Sequence, residues 1–286
     1  MIDHIPVLFE ESIKFICEEL NEGIILDCTC GAGGHAKGFL ENTGEGILLK
    51  CIDRDKDAIE IAKENLTIFN NRVEFLNMKF SKISCLFDKY KSNNIKRVFY
   101  DLGISSMQID KFQRGFTYKK NQKLNMQMGK SKITANEIIN KMNEDELSDI
   151  FYKYGQEKFS RRIAANIVDK RQYTKIETTE QLVNIIRSSV PVKMQLKTLS
   201  RIFQALRIAV NNELYEFEIS LNSVLERLES GARIGVITYH SLERNIIRKS
   251  TAGKDNIKVK KVNASKKEIK DNRRGRSGKL YRIEIL

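Results

Sequence analysis

A chain of 286 residues, 41% of them hydrophobic, holds one large domain or a domain with an insertion, and its core needs no disulfide or metal staple. No apolar run approaches a membrane span, the N-terminus (Asp3, His4, Glu10, Glu11) is unlike a signal peptide, and the five cysteines lack zinc-ligand spacing, so a reduced, cytoplasmic, metal-free protein is expected. Fifty Lys/Arg against 37 Asp/Glu give a net charge of +13, which favours a polyanionic partner.

In chain order, residues 24–105 alternate short apolar runs with amphipathic segments. Strands are expected at 24–27, 47–53, 73–76 and 98–102, with helices at 35–41, 57–69 and 81–90 between them. That rhythm is a parallel sheet covered by helices. Asp57 is the expected N-cap of the second helix. Cys28 and Cys30 are expected on one face of a strand. After Ser106 the rhythm stops. Residues 111–132 are turn-like and carry seven Lys/Arg and no acid. Helices follow at 134–142, 143–154, 158–170, 179–188 and 193–210, with capping signals at Thr178-Thr179 and Asn143-Glu144-Asp145-Glu146. A helix at 211–229 leads through Ser230-Gly231 into a strand at 233–239, and 280–286 alternates as a half-buried strand. Between them, 251–279 is rich in Lys, Arg, Asn, Gly and Ser and is expected to stay mobile until something acidic binds it. Residues 244–286 carry fifteen Lys/Arg against four acids, and this clustering points to a nucleic acid.

The chemistry concentrates at expected strand ends. Asp27-Cys28-Thr29-Cys30-Gly31-Ala32-Gly33-Gly34-His35 places an acid at a strand tip and glycines in the turn behind it, where bare backbone approaches a nucleotide-like cofactor. Asp53 ends the next strand, where a carboxylate grips ribose hydroxyls. Asp101 ends the fourth, before Leu102-Gly103-Ile104-Ser105-Ser106. Three carboxylates around one site suit a cationic sulfonium better than a dinucleotide with its pyrophosphate. A nicotinamide-dependent oxidoreductase stays open on Gly-x-Gly-Gly and Asp53 alone, but it leaves the basic tail without a role. His240-Ser241 lacks the Gly-x-Ser-x-Gly turn of a hydrolase. Tyr239 reads equally as a base-stacking platform or as half-buried core.

Eight ordered motifs carry a resemblance spanning nearly the whole chain. They are Asp-x-Thr-x-Gly-x-Gly-Gly-His (27–35), Ile-Asp-Arg-Asp (52–55), Asp-Leu-Gly-Ile-Ser-Ser (101–106) with Gln108, Arg-Gly-Phe (114–116), Tyr-Gly-x-Glu-x-Phe (154–159), Phe-Gln-Ala-Leu-Arg-Ile-x-Val-Asn-x-Glu-Leu (203–214), His-Ser-Leu-Glu (240–243) and Arg-x-Arg-Ser-x-Lys-Leu (274–280). The chain resembles the RsmH/MraW methyltransferases, which move a methyl group from S-adenosylmethionine to N4 of a cytosine in the decoding centre of 16S ribosomal RNA. The resemblance implies an α/β fold: a Rossmann-like methyltransferase sheet with helices on both faces and an inserted all-helical domain. It divides the chain into a methyltransferase domain (1–108 and 205–286) and a helical insertion for RNA recognition (109–204).

It also implies cofactor contacts at Gly33, Gly34, His35, Asp53, Phe80 (adenine side), Asp101 (methyl site) and Gln108. Catalysis is expected just past the fourth strand, at Asp101, Ser105 and Ser106. The expected RNA-facing residues are Arg114, Phe116, Asn125, Tyr239, His240, Arg274 and Arg276, with Tyr239 and Phe116 as stacking platforms. The partner would be 16S ribosomal RNA or the small subunit, and a homodimer stays open. The chain departs from the family pattern at 121–129, where three acids and an arginine are replaced by neutral residues, Asn121 and Asn125 among them, and at Arg244-Asn245. Those departures leave open a different target nucleotide, or an RNA-binding assembly factor that holds the cofactor with little turnover.

Overall fold

The computed structural model describes residues 6–104 and 113–286. The chain divides into two compact units, one comprising residues up to Gly103 together with Leu214–Leu286, the other Ile104–Glu213. The first is built on a seven-stranded sheet: β1 (Gly23–Asp27), β2 (Ile47–Asp53), β3 (Val73–Asn77), β4 (Ile95–Asp101), β5 (Arg233–Thr238), β6 (Ile257–Asn263) and β7 (Lys279–Ile285). The strand order is β3-β2-β1-β4-β5-β7-β6. The first five run parallel; β7 lies antiparallel to both β5 and β6. This is the expected Rossmann-like sheet. Its winding reverses between β1 and β4, the switch point where such sheets bind ligands.

The central strands are apolar because helices cover both faces. Ile25, Leu49, Phe99 and Ile237 pack on one face with Phe39 and Ile16. Leu26, Val98, Tyr100 and Val236 pack on the other with Phe217, Leu221 and Ile247. β1 ends at Asp27, so Cys28 and Cys30 lie in the following turn and not on the strand as expected; both are buried thiols. The helix Lys56–Asn65 is capped by Asp55, whose side chain accepts from the Asp57 N–H, and not by Asp57 itself.

The segment 251–279 is ordered, contrary to expectation. It contains β6, the helix Lys266–Asp271 and a short 3-10 turn Arg273–Arg276. Seven register pairs tie β6 to β7, setting Val259 opposite Ile283 and Val262 opposite Leu280. That ladder gives the lysine-rich strand its order while leaving Lys258, Lys260 and Lys261 exposed.

The second unit is helical, with helices Ala135–Lys141, Glu144–Gly155, Ser160–Tyr173, Thr179–Ser189 and Gln195–Asn211. Capping boxes start three of them, at Thr134/Glu137, Asn143/Glu146 and Thr178/Gln181. Phe151, Ile163, Leu182, Leu199, Ile202 and Leu206 form its centre. Because Gln195–Asn211 is one continuous helix with its buried face in that core, the boundary expected at 204/205 falls at 213/214. The basic stretch before the helices is anchored by Leu124, Met126 and Met128, all buried. Among the described residues no helix is long and apolar enough to cross a membrane.

Candidate active site

The tips of β1, β2 and β4 carry Asp27, Asp53 and Asp101. The turn after β1 binds the three together. Gly31 and Gly33 have φ values of 54° and 84°, left-handed conformations that glycine adopts without strain. Gly33 starts the helix Gly34–Glu41 with no side-chain cap. A Cβ on Gly34 would stand 2.7 Å from Pro6 Cγ, so this helix start tolerates no side chain without movement of Pro6.

Each aspartate has its own hydrogen-bonding state. Asp53 accepts the Gly31 N–H on Oδ2 (2.9 Å) and the Asp55 N–H on Oδ1 (2.8 Å). It therefore shapes the glycine turn while its remaining lone pairs stay available to hydroxyl donors. Burial pushes its carboxyl up to about 6. Asp101 accepts from the Tyr239 hydroxyl at 2.8 Å, and its other oxygen lies 3.6 Å from His35 Nε2. The Asp101 N–H donates to Thr29 Oγ1 (2.6 Å), and the Thr29 N–H donates to Asp27 Oδ1 (3.1 Å). Thr29 thus couples the tip of β1 to that of β4. Asp27 is 1% exposed, and its Oδ2 has no hydrogen-bond partner among the described residues. Burial, opposed by the Thr29 bond and reinforced by the neighbouring Asp101 and Asp53 charges, pushes its carboxyl up to about 8.

The remaining expected residues separate into three groups. His35 is buried, its ring 4.6 Å from that of Phe99 and against Phe9 and Phe39. Phe80 sits in the short turn Phe80–Lys82, edge-on to the Tyr100 ring at 5.9 Å. These two, with Gly33, Gly34, Asp53 and Asp101, belong to the first unit. Ser105, Ser106 and Gln108 lie outside the described residues.

The RNA-facing candidates fare differently. Phe116 is 7% exposed in the helical unit's core, so the open face needed for stacking is absent. Tyr239 has its hydroxyl committed to Asp101, and burial and that carboxylate keep the phenol protonated, which makes it a holder of Asp101 before any stacking role. His240 caps the helix Ser241–Thr251: its Nδ1 accepts the Glu243 N–H (3.4 Å), and Glu243 accepts the N–H groups of Tyr239 and His240. Arg114 donates to Gln127 O (3.3 Å), and Asn125 Oδ1 accepts the Gln127 N–H (2.9 Å), so both shape the 114–127 loop. Arg274 and Arg276 are exposed in the turn Arg273–Arg276. Sequence reasoning assigns no role to Thr29, although it lies inside the first motif, nor to Glu216, which no local pattern marks.

These residues fit S-adenosylmethionine. A buried carboxyl oxygen with no partner among the described residues, beside two further acids, suits a ligand with positive charges, and bare backbone at Gly33 and Gly34 allows close approach.

The MraW methylase family matches residues 1–286. The chain is 38% identical to the ribosomal RNA small subunit methyltransferase H of Caldicellulosiruptor saccharolyticus, with 100% of each chain covered. It is 40% identical to the protein of that name from Caldicellulosiruptor bescii, covering 98% of each. Identity to the one from Mycoplasma mycoides subsp. mycoides SC is 39%, covering 99% of each.

Proposed function

From the premise that the chain belongs to the MraW methylase family and uses S-adenosylmethionine, we propose that it methylates the small-subunit ribosomal RNA, at the N4 exocyclic amine of a cytosine in the decoding centre. The observation that carries this reading is the acidic constellation of Asp27, Asp53 and Asp101 on adjacent strand tips, with one buried oxygen of Asp27 unpartnered. Acids packed this closely oppose a pyrophosphate and favour a sulfonium, whose charge draws the buried Asp27 carboxyl toward ionisation.

When bound, S-adenosylmethionine supplies the electrophilic methyl group. The chain's own residues do the rest. Gly33 and Gly34 present backbone at the helix start, Asp53 faces the ribose hydroxyls, and Phe80 lines the adenine. Asp101, fixed by Tyr239 and Thr29, accepts a hydrogen bond from the cytosine amine. That bond favours a pyramidal nitrogen, whose lone pair is otherwise drawn into the ring. Asp101 would then take the proton that the nitrogen sheds as its bond to the methyl carbon forms and the carbon–sulfur bond breaks, leaving a neutral thioether. The largest contribution is alignment of nitrogen and methyl, which supplies ~7–11 kcal/mol in well-oriented reactions. The base must leave its stack, at about a few kcal/mol. Exposed Lys258, Lys260 and Lys261 on β6, with Arg274 and Arg276, hold the RNA backbone.

The test is transfer of labelled methyl from S-adenosylmethionine to small subunits lacking the modification, followed by nucleotide-resolution mapping. Label on a cytosine N4 in the decoding centre supports the proposal. Label at another nucleotide refutes the assigned target. Cofactor binding without transfer refutes the enzyme and favours an assembly factor.

A further inference from the structure

Glu216 lies on the helix Glu213–Arg227 and is 5% exposed. A carboxylate loses much hydration at such a site, so it persists only where its oxygens find donors. Here the donors flank a single residue. Lys79 Nζ donates to Glu216 Oε1 at 2.6 Å, and the Ser81 hydroxyl donates to Glu216 Oε2. Between Lys79 and Ser81 stands Phe80.

The same helix controls the other side of that ring. Phe80 lies edge-on to Tyr100, with ring centroids 5.9 Å apart at 90°. Tyr100 in turn shares a 2.7 Å hydrogen bond with Ser220 and packs against Phe217 at 5.5 Å. Glu216 and Ser220 are one helical turn apart, so a single face of one helix fixes both the backbone that carries Phe80 and the ring against which Phe80 rests. The Phe80–Lys82 turn closes on its own backbone bonds, Lys82 N–H to Lys79 O and Ile83 N–H to Phe80 O, but has no side-chain cap, so Glu216 adds the side-chain hold that the turn lacks.

We propose that Glu216 is a positioning residue for the cofactor's adenine, acting by clamping Lys79 and Ser81 and thereby fixing the ring of Phe80. The proposal rests on the reading of Phe80 as the adenine-side contact. Glu216 itself touches neither the methyl group nor the RNA base, so its influence falls on cofactor affinity and not on the transfer step.

A double-mutant cycle tests it, with Phe80→Ala, Glu216→Gln and the pair, by calorimetric titration of S-adenosylhomocysteine and by steady-state transfer. Glu216→Gln is expected to weaken binding roughly tenfold, the effect of losing a charge-assisted hydrogen bond. KM for the cofactor should rise in proportion while kcat at saturation stays within about twofold, as for lost uniform binding. In the Phe80→Ala background the Glu216 change should add nothing. Unaltered affinity in Glu216→Gln beside weakened affinity in Phe80→Ala overturns the clamp alone, as do additive losses in the pair. Unaltered affinity in Phe80→Ala removes the adenine contact and the clamp with it. Should Glu216→Gln fail to fold, Ser81→Ala enters the cycle instead, with a loss of about threefold expected from one uncharged donor.

Discussion

The buried carboxyl of Asp27 should make stability fall as pH rises through neutrality, and its amide variant should remove that part of the fall. Asp27 titrates near its ordinary value of 3.8 when unfolded and at about 8 when folded. Between those values the folded state holds a proton that the unfolded chain has released. The stabilisation is complete below the unfolded value and is lost progressively until pH passes the folded one. The slope is ~1.4 kcal/mol per pH unit for one proton. From pH 6 to pH 8 the wild type should therefore lose about 2 kcal/mol, or about 5 °C in Tm for a unit of this size. Asp53, raised from 3.8 to about 6, contributes in the same direction at lower pH. Asp27→Asn keeps an oxygen for the Thr29 N–H and removes the proton, so its melting temperature should lose the Asp27 component of this slope. Calorimetry on the cofactor-free protein from pH 5 to 9 measures both slopes. Binding gives a second reading: the substitution should weaken S-adenosylmethionine more at pH 8.5, where the wild-type carboxylate is ionised, than at pH 6. Parallel stability curves for the two proteins would refute the argument.

Four further outcomes can be checked. Gly33→Ala places a side chain at φ 84° with its Cβ 3.1 Å from Leu66 Cδ1, and should cost about 1–2 kcal/mol in denaturant unfolding while weakening the cofactor. Arg201→Ala strips the partly exposed ion-pair partner, at 3.4 Å, from the buried Glu157, which keeps the Phe159 N–H; a loss of about 1–2 kcal/mol is expected in the unfolding of the helical unit. Lys260→Ala with Lys261→Ala should leave the melting temperature unchanged and lower the salt dependence of RNA binding by ~0.9 for each phosphate that the two lysines neutralise on duplex RNA. Asn125→Asp retains the oxygen that caps the Gln127 N–H and restores a negative charge; it should raise turnover on small-subunit RNA, and unchanged or slower transfer would remove Asn125 from the acceptor site.

Much of the first unit is legible because its signals are local. Apolar runs ending in Asp27, Asp53 and Asp101 mark parallel strands by composition alone; in the second unit Asn143 and Thr178 announce their helices in the same local way, through acceptors three residues on. β6 escapes detection because its Ile257, Val259 and Val262 are interleaved with three lysines, and an edge strand needs only its neighbour's ladder to form. Asp55 and Asp57 are both plausible caps; which one serves depends on where β2 ends, a tertiary fact. His240 illustrates the converse. Its place three residues before Glu243 makes it a helix cap, yet the chemical versatility of histidine invites its reading as a substrate contact. The roles of Tyr239 and Glu216 lie beyond the reach of local pattern, since their partners Asp101 and Ser81 stand 138 and 135 residues away.

The three strand-tip aspartates state the limit most clearly. In the sequence they are equivalent: an acid closing an apolar run. The fold makes them unlike by what it sets beside each. Asp53 has both oxygens bound to backbone N–H groups, and so builds the turn that any ligand must meet. Asp101 is held by a phenol from β5's end and by Thr29 through its own N–H, which orients an acceptor without neutralising it. Asp27 alone among them has a buried oxygen with no partner in the described residues, and burial keeps its carboxyl protonated near neutrality. A cation arriving there meets an acid whose ionisation it makes favourable, so binding and proton release are one event at this site. Under the proposed function, discrimination for a positively charged donor would thus rest on the least solvated of the three carboxyls, leaving the better solvated Asp101 to act on the acceptor.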